Sequence, residues 1–182
     1  IKKKVFAELE GHIRDEAIVT SNTSSLRVQE MSTAFKKPER FAGLHFFNPV
    51  HKMPLVEIIT HDKVSPETLE ALYKWCIKAK KTPIIVKDGT GFLVNRILMP
   101  FMNEAMHLLE EGVPFHDIEK ACLNFGMPMG PFRLMDEVGI DVGAKVAKII
   151  HDGLGDRLKS SDLTVKIAES GLLERRPSFL GC

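Results

Sequence analysis

Residues 41–47 (FAGLHFF) and residues 55–59 (LVEII) are two short apolar runs in the first half of this chain. Each run has the length and composition of a buried β-strand. Each also carries one ionisable side chain, His45 in the first run and Glu57 in the second. A carboxylate in a buried strand is costly without a cationic or hydrogen-bonding partner. The two runs are close enough in sequence to be sheet neighbours, so we expect His45 and Glu57 to pair.

A paired histidine and glutamate on neighbouring strands indicates an enzyme. The carboxylate fixes the tautomer of the imidazole and stabilises its charged form, which suits a proton acceptor that works near neutral pH. A histidine alone in an apolar strand would more often be a core residue with its hydrogen bonds satisfied. The nearby glutamate is what favours a catalytic role for His45.

Four predicted strands alternate with predicted helices in the first half of the chain. The strands lie at residues 17–21, 41–47, 55–59 and 83–86. Ser65 followed by Pro66 is a typical helix start, because serine caps a helix and proline fits its first turn. From Phe92 onwards only helical patterns follow. The predicted fold class is therefore α/β with a parallel-rich sheet over residues 1–90, followed by an all-α domain over residues 91–182.

The composition is that of an ordinary globular protein, and it excludes several classes of partner. The net charge of +1 gives no case for nucleic acid or an anionic membrane surface. No apolar stretch is long enough to span a membrane. The three cysteines, Cys76, Cys122 and Cys182, have neither disulfide nor metal spacing, which indicates a reducing compartment and no metal site.

The start of the sequence indicates a fragment. Residues 1–10 (IKKKVFAELE) have a helical pattern, but neither an initiator methionine nor an N-cap comes before them. We therefore expect this helix to begin upstream of the chain.

Polar residues follow three of the predicted strands. Asn22-Thr23-Ser24 follow the first strand, Asn48 follows the second, and residues 88–91 (DGTG) follow the fourth. Because ligands of open α/β sheets bind at the carboxyl ends of the strands, we expect these clusters to share one crevice. Asn95, in the helix after the last cluster, is expected to join them. Such a site suits a substrate whose hydroxyl or carbonyl oxygen is gripped while a proton moves.

Six motifs, taken together, resemble a known family. They are SNTSS at 21–25, RFAGLHFFNPV at 40–50, PLVEII at 54–59, GFLVNR at 91–96, PMGPF at 128–132 and DEVGIDVG at 136–143. In order and spacing they are similar to the motifs of the 3-hydroxyacyl-CoA dehydrogenase family. The last two resemble the dehydrogenase region of the multifunctional fatty-acid oxidation enzyme, its alpha subunit, more than the short single-function enzymes. The resemblance runs from residue 1 to about residue 173.

The resemblance implies a role for each candidate site residue. His45 would be the general base, and Glu57 would orient its imidazole. Ser24 and Asn95 would bind the reacting oxygen of the substrate. Ser24 and Asn48 would also line the nicotinamide end of the cofactor NAD, with Lys2 close to the cofactor.

The resemblance also implies the reaction, which is NAD-dependent oxidation of (3S)-3-hydroxyacyl-CoA to 3-oxoacyl-CoA in β-oxidation. Residues 1–90 would be the C-terminal portion of a Rossmann-like NAD-binding domain. The helical domain would close the site and form a homodimer interface, or in a multifunctional parent the protein would join a thiolase subunit. The location would be the cytoplasm in a bacterium, and the mitochondrion or peroxisome in a eukaryote.

Two departures from the family pattern stand out. The chain has no Gly-x-Gly-x-x-Gly turn, so we expect the isolated chain to bind NAD poorly. The tail at residues 174–182 does not fit the family pattern either.

Three other readings stay open at this point. The isolated chain could act only as a packing module for other domains. It could be a different 3-hydroxy acid dehydrogenase, although such enzymes usually use a lysine where this chain has the His45–Glu57 pair. A Ser–His–Glu hydrolase is the third, although Ser24 lacks the Gly-x-Ser-x-Gly elbow.

Overall fold

The computed structural model describes residues 2–24, 26–155 and 161–170. The chain divides between Leu93 and Val94 into two compact units. The first unit contains α1 (Lys2–Glu10), β1 (Val19–Ser21), α2 (Val28–Ser32), a 3₁₀ turn (Pro38–Arg40), β2 (Phe41–Phe46), β3 (Leu55–Thr60), α3 (Pro66–Lys78) and β4 (Thr82–Lys87). The second contains α4 (Val94–Glu110), α5 (Phe115–Phe125), α6 (Pro131–Val138), α7 (Ile140–Leu154) and α8 (Asp162–Glu169). The predicted class, α/β followed by all-α, is confirmed.

The four strands form one mixed sheet in the order β1-β2-β3-β4. β1 pairs with β2 in parallel, and β3 pairs with β4 in parallel, as the sequence predicted for most of the sheet. β2 and β3 are antiparallel. The connection at residues 47–54 explains this, because a parallel crossover needs a dozen or more residues.

Each face of the sheet carries its own apolar cluster. One face is covered by α1, α2 and the loop after β4, with the buried residues Val28, Met31, Phe35, Phe41, Ile59, Val86 and Phe92. The other face is covered by α3, with the buried residues Ala42, Leu44, Val56, Ile58, Leu72 and Cys76. Side chains alternate between faces along a strand. His45 and Glu57 therefore share the first face with Phe41 and Ile59.

Gly43 lies at a close contact between α2 and the sheet. A Cβ atom at this position would lie 2.8 Å from side-chain atoms of both Ile59 and Val28. Only glycine leaves room for the helix to pack at this distance. α2 ends at Ser32, and the chain beyond it places Phe35 on Phe41, with ring centroids 4.7 Å apart.

The second unit is held together partly by polar groups at helix ends. In α6, the backbone N–H of Phe132 donates to Glu119 Oε1 of α5 at 2.7 Å. In α8, both the Ser161 hydroxyl and the Leu163 N–H donate to Glu110 Oε1 of α4, each at 2.8 Å. These carboxylates satisfy N–H groups that a helix leaves unpaired at its start. The helices that the structure describes include none that is long and apolar enough to cross a membrane.

Candidate active site

His45 and Glu57 form a buried pair across the β2–β3 ladder. The register places the two residues directly opposite each other. His45 Nδ1 lies 2.7 Å from Glu57 Oε2, and the two side chains are 4% and 0% exposed. A carboxylate can only accept a hydrogen bond, so Nδ1 carries the proton in this contact. The expected contact between these two residues is therefore present.

The second oxygen of Glu57 is also occupied. The backbone N–H of Leu93 donates to Glu57 Oε1 at 3.0 Å. Both carboxylate oxygens of this buried side chain thus have hydrogen-bond partners, as a buried polar group requires.

The other ring nitrogen of His45 points toward Ser24. Nε2 lies 3.1 Å from Ser24 Oγ, and Ser24 is exposed. Since Nδ1 carries the proton, Nε2 of the neutral ring is the acceptor and the serine hydroxyl can donate to it. Ser24, His45 and Glu57 therefore form one line of hydrogen bonds that leads from solvent into the sheet.

Two aromatic rings flank the imidazole. The centroid of Phe47 lies 4.7 Å from that of His45, and the centroid of Phe92 lies 5.7 Å away. Phe92 has a φ of 49°, a left-handed conformation that is uncommon for a residue other than glycine, and it follows Gly91, whose φ is 74°. The buried ring of Phe92 belongs to the apolar cluster, which compensates for this conformation.

Lys2 lies at the carboxyl end of β1. Its Nζ donates to the backbone oxygen of Asn22 at 3.3 Å and lies 3.5 Å from Ser21 Oγ. Asn22 Oδ1 in turn accepts from the N–H of Phe46 at 3.3 Å. A hollow of about 310 Å³ adjoins these groups, lined by Lys2, Val5, Phe6, Thr20, Ser21 and Asn22. The cofactor role of Lys2 stays a prediction.

The remaining candidates lie in different places. Asn48 is exposed in the loop after β2 and precedes a cis bond to Pro49. Asn95 lies in the first turn of α4, in the second unit. The roles of both residues stay predictions.

The prediction that all three polar clusters share one crevice is wrong for the cluster that follows β4. Because β2 and β3 are antiparallel, β4 ends at the opposite end of the sheet from β2. Asp88, directly after β4, therefore does not lie beside Asn48. Only the later part of the same loop, at Phe92 and Leu93, reaches the His45–Glu57 pair.

Sequence reasoning missed the contributions of Phe47, Phe92 and Leu93. Leu93 acts through its backbone N–H, which no side-chain pattern can reveal. Among residues 2–24, 26–155 and 161–170, no group of three His, Cys, Asp or Glu side chains could hold a metal ion.

The sheet with helices on both faces, followed by a helical unit, defines a protein of the α/β class with an all-α second unit. Residues 1–89 match the family model "3-hydroxyacyl-CoA dehydrogenase, NAD binding domain", and residues 91–178 match "3-hydroxyacyl-CoA dehydrogenase, C-terminal domain". The chain belongs to the 3-hydroxyacyl-CoA dehydrogenase family, as its motifs indicated, and NAD is the cofactor of that family.

Individual relatives agree with this assignment. The chain is 49% identical to the fatty acid oxidation complex subunit alpha of Shewanella loihica over 160 residues, which are 88% of this chain and 23% of that protein. It is 47% identical to the same subunit of Idiomarina loihiensis, over 93% of this chain and 24% of that protein. The chain thus spans about a quarter of the length of these relatives.

Solved structures show the same fold. (S)-3-Hydroxybutyryl-CoA dehydrogenase from Ralstonia eutropha superposes with a TM-score of 0.91 at 34% identity, over 96% of this chain and 62% of that one. 3-Hydroxybutyryl-CoA dehydrogenase from Escherichia coli superposes with a TM-score of 0.89 at 34% identity, over 93% of this chain and 37% of that one.

Proposed function

We propose that this chain carries the acid–base centre of an enzyme that oxidises (3S)-3-hydroxyacyl-CoA to 3-oxoacyl-CoA with NAD. The observation that supports the proposal most is the line of hydrogen bonds from exposed Ser24 through His45 to buried Glu57. It combines a proton acceptor near solvent with a buried counter-charge. The names of the relatives support the same substrate class.

His45 is the general base in this proposal. Its Nε2, held free of a proton by the Nδ1–H donation to Glu57, takes the proton of the substrate 3-hydroxyl. The imidazole becomes positively charged, and the Glu57 carboxylate stabilises that charge. NAD, when bound beside these residues, would supply the acceptor for the hydride that leaves C3.

The remaining candidates position the reactants. The Ser24 hydroxyl lies within hydrogen-bond distance of Nε2, so it can orient the reacting oxygen toward the base. Asn95 would bind the same oxygen. Ser24 and Asn48 would face the nicotinamide, and the Lys2 ammonium would lie near the cofactor, beside the hollow at the carboxyl end of β1.

The hydroxyl, amide and ammonium groups at this end of the sheet fit the polar part of a dinucleotide. The chain has no Gly-x-Gly-x-x-Gly turn to hold a pyrophosphate. We therefore expect weak NAD binding by this chain alone.

The second unit would close the active site and contribute to a dimer. The curated relatives are alpha subunits of a fatty acid oxidation complex. The corresponding assembly for this protein would pair it with a thiolase subunit in the cytoplasm of a bacterium.

A hydrolase is the second candidate, because Ser24, His45 and Glu57 have the order of a catalytic triad. The two functions differ in the role of the serine. Replacing the nucleophile of a hydrolase abolishes turnover, whereas Ser24→Ala in a dehydrogenase removes only one hydrogen bond to the reacting oxygen. An acyl-CoA hydrolysis assay beside the dehydrogenase assay separates the two.

The test uses this chain alone and the extended protein, in which a phosphate-binding half from a relative is fused upstream. Oxidation of 3-hydroxybutyryl-CoA and of a longer 3-hydroxyacyl-CoA is followed at the NADH absorbance band. We expect activity in the extended protein, and a loss of roughly 10²–10⁴-fold in turnover for His45→Gln. His51→Gln, which changes an exposed histidine six positions later, is the matched control. Near-normal turnover of the His45 variant contradicts the proposal.

A further inference from the structure

We propose that Asp88 is a positioning residue that holds Ser24 against His45 by anchoring the start of α2. The inference rests on the proposed function, because it concerns the geometry of the same acid–base centre. Asp88 does not touch the imidazole and lies at the opposite end of the sheet from Asn48. Its effect is transmitted through the backbone segment that contains Ser24.

Asp88 is a buried carboxylate. Its side chain is only 6% exposed, and Oδ2 accepts from the backbone N–H of Gln29 at 2.8 Å. Oδ1 is buried and, within the part of the chain that the structure describes, has no hydrogen-bond partner. The nearest cation, Arg27 Nε, lies 3.7 Å from Oδ2 and is half exposed, so this ion pair contributes little. Burying a carboxylate with one unpaired oxygen costs free energy of folding. We therefore infer that Asp88 has a specific structural role.

The two residues that contact the Asp88 carboxylate, Gln29 and Arg27, lie in the segment that follows Ser24. Gln29 is the second residue of α2, and Arg27 immediately precedes that helix. The carboxylate therefore binds an N–H that the helix itself cannot satisfy. The contact joins residues 59 positions apart, so it ties α2 to the end of β4.

Ser24 is exposed and lies in the short connection between β1 and α2. At one end of this connection, Asn22 Oδ1 accepts from the N–H of Phe46 on β2. Within it, Thr23 Oγ1, next to Ser24, accepts from the N–H of Leu26 at 3.2 Å. Asp88 supplies the anchor at the other end. The position of Ser24 Oγ thus depends on two fixed ends.

The loop that begins at Asp88 also contacts Glu57, the buried end of the hydrogen bonds that join Ser24, His45 and Glu57. Five residues later, the N–H of Leu93 donates to Glu57 Oε1. The contacts therefore form a closed ring, which runs from Asp88 through α2 to Ser24, His45, Glu57 and Leu93 and returns along the loop. The partner of each imidazole nitrogen, Ser24 or Glu57, is therefore supported either by this loop or by the helix that the loop anchors. Such support keeps a proton acceptor in its productive geometry.

The test measures kcat and KM for 3-hydroxybutyryl-CoA in the extended protein. We expect Asp88→Ala to lower kcat by roughly 10- to 100-fold, the scale of a small misplacement in an active site, with little change in KM. Asp88→Asn should retain most of the activity, because an amide oxygen can still accept from the Gln29 N–H.

A double-mutant cycle separates positioning from general destabilisation. In a Ser24→Ala background, Asp88→Ala should lower kcat only slightly, because the hydroxyl that it positions is gone. Ser65→Ala is the matched control, because it removes a comparable cap bond, from Thr68 N–H to Ser65 Oγ, on the opposite face of the sheet. Its kcat should stay near that of the parent.

An equal loss from Asp88→Ala in both backgrounds overturns the inference, and so does an equal loss from Ser65→Ala. If Asp88→Ala does not fold, Asp88→Ser is measured in its place. The same outcomes apply, because the serine side chain is too short for its hydroxyl to reach the N–H of Gln29. Retained activity in His45→Gln would refute the proposed function itself. Loss of activity in His45→Gln combined with additive effects of Asp88 and Ser24 would refute only the role of Asp88.

Discussion

His45 and Glu57 face each other directly across the β2–β3 ladder, with Nδ1 and Oε2 2.7 Å apart. Because the strands fix both Cα positions, the length of the side chain at position 57 determines whether the carboxylate reaches the imidazole. Neither residue can compensate by moving its backbone. The geometry of the acid–base centre is therefore a property of sheet register.

This geometry predicts that the length and the charge of Glu57 both matter. In the extended protein, Glu57→Asp withdraws the carboxylate by one methylene, and Glu57→Gln removes its charge. We expect each change to lower turnover by roughly 10²-fold, somewhat less than His45→Gln. Glu70→Gln, on the exposed side of α3, is the control. Full turnover in the Asp variant would show that the contact does not orient the base.

Gly43 is predicted to be intolerant of any side chain. A Cβ would lie 2.8 Å from Ile59 and Val28, so Gly43→Ala should lower the free energy of unfolding by about 1–3 kcal/mol. Urea unfolding followed by the fluorescence of Trp75, the single tryptophan of the chain, measures this in the first unit.

Gly143 provides the control for that measurement. It lies within α7, and a Cβ there would meet no atom within 4 Å. Because α7 belongs to the second unit, Gly143→Ala should leave the unfolding transition that Trp75 reports unchanged. Equal unfolding midpoints for the Gly43 variant and the parent would contradict the close packing of α2 on β2.

The contact between Glu110 and α8 predicts a pH-dependent stability. The hydrogen bond from Ser161, helped by the N–H of Leu163, lowers the pKa of the Glu110 carboxyl below its ordinary value of 4.5. A lowered pKa in the folded state means that the contact stabilises fully above pH 4.5, and that this stability is lost as the pH falls through the lowered value. Melting temperatures of the parent and Ser161→Ala should therefore differ at pH 7 and converge in acid.

Ser170→Ala, which changes a hydroxyl at the other end of α8, is the control for the pH series. Its melting temperature should run parallel to that of the parent at every pH. A difference between the parent and Ser161→Ala that persists unchanged into acid would contradict the assignment of this contact to the ionised carboxylate.

The two cysteines in the described residues are predicted to react at different rates. Burial raises the pKa of the Cys76 thiol, whereas Cys122 is partly accessible. Because the thiolate is the reactive form, iodoacetamide at pH 8 should modify Cys122 well before Cys76. Peptide mass mapping in a Cys182→Ser background measures both rates. Faster labelling of Cys76 would mean that α3 does not cover the sheet as described.

The sequence alone could predict the elements and the central pair of the site. The two apolar runs became β2 and β3, and the serine cap with Pro66 began α3 at the expected residue. His45 and Glu57 were predictable as partners because a buried carboxylate has few ways to be satisfied. These inferences depend on local patterns or on the free energy of a single buried charge.

The remaining features depend on contacts between distant residues. β2 and β3 are antiparallel because the connection at residues 47–54 is too short for a parallel crossover. Its length matters more here than its composition. The N–H of Leu93 has no side-chain signature, and the left-handed backbone of Phe92 is sustained by the apolar cluster around its ring. The location of Asp88 away from Asn48 followed from strand direction alone.

The β2–β3 hairpin has a consequence for the order in which the site assembles. His45 and Glu57 are 12 residues apart, whereas Ser24 and His45 are separated by 21 residues and Leu93 and Glu57 by 36. Closing a short loop loses less chain entropy than closing a long one. We expect the acid–base pair to meet early in folding, and its serine and amide partners to arrive later. The pairing of base and carboxylate is thus encoded in one local hairpin, whereas the orientation of the base waits for segments that are distant in sequence.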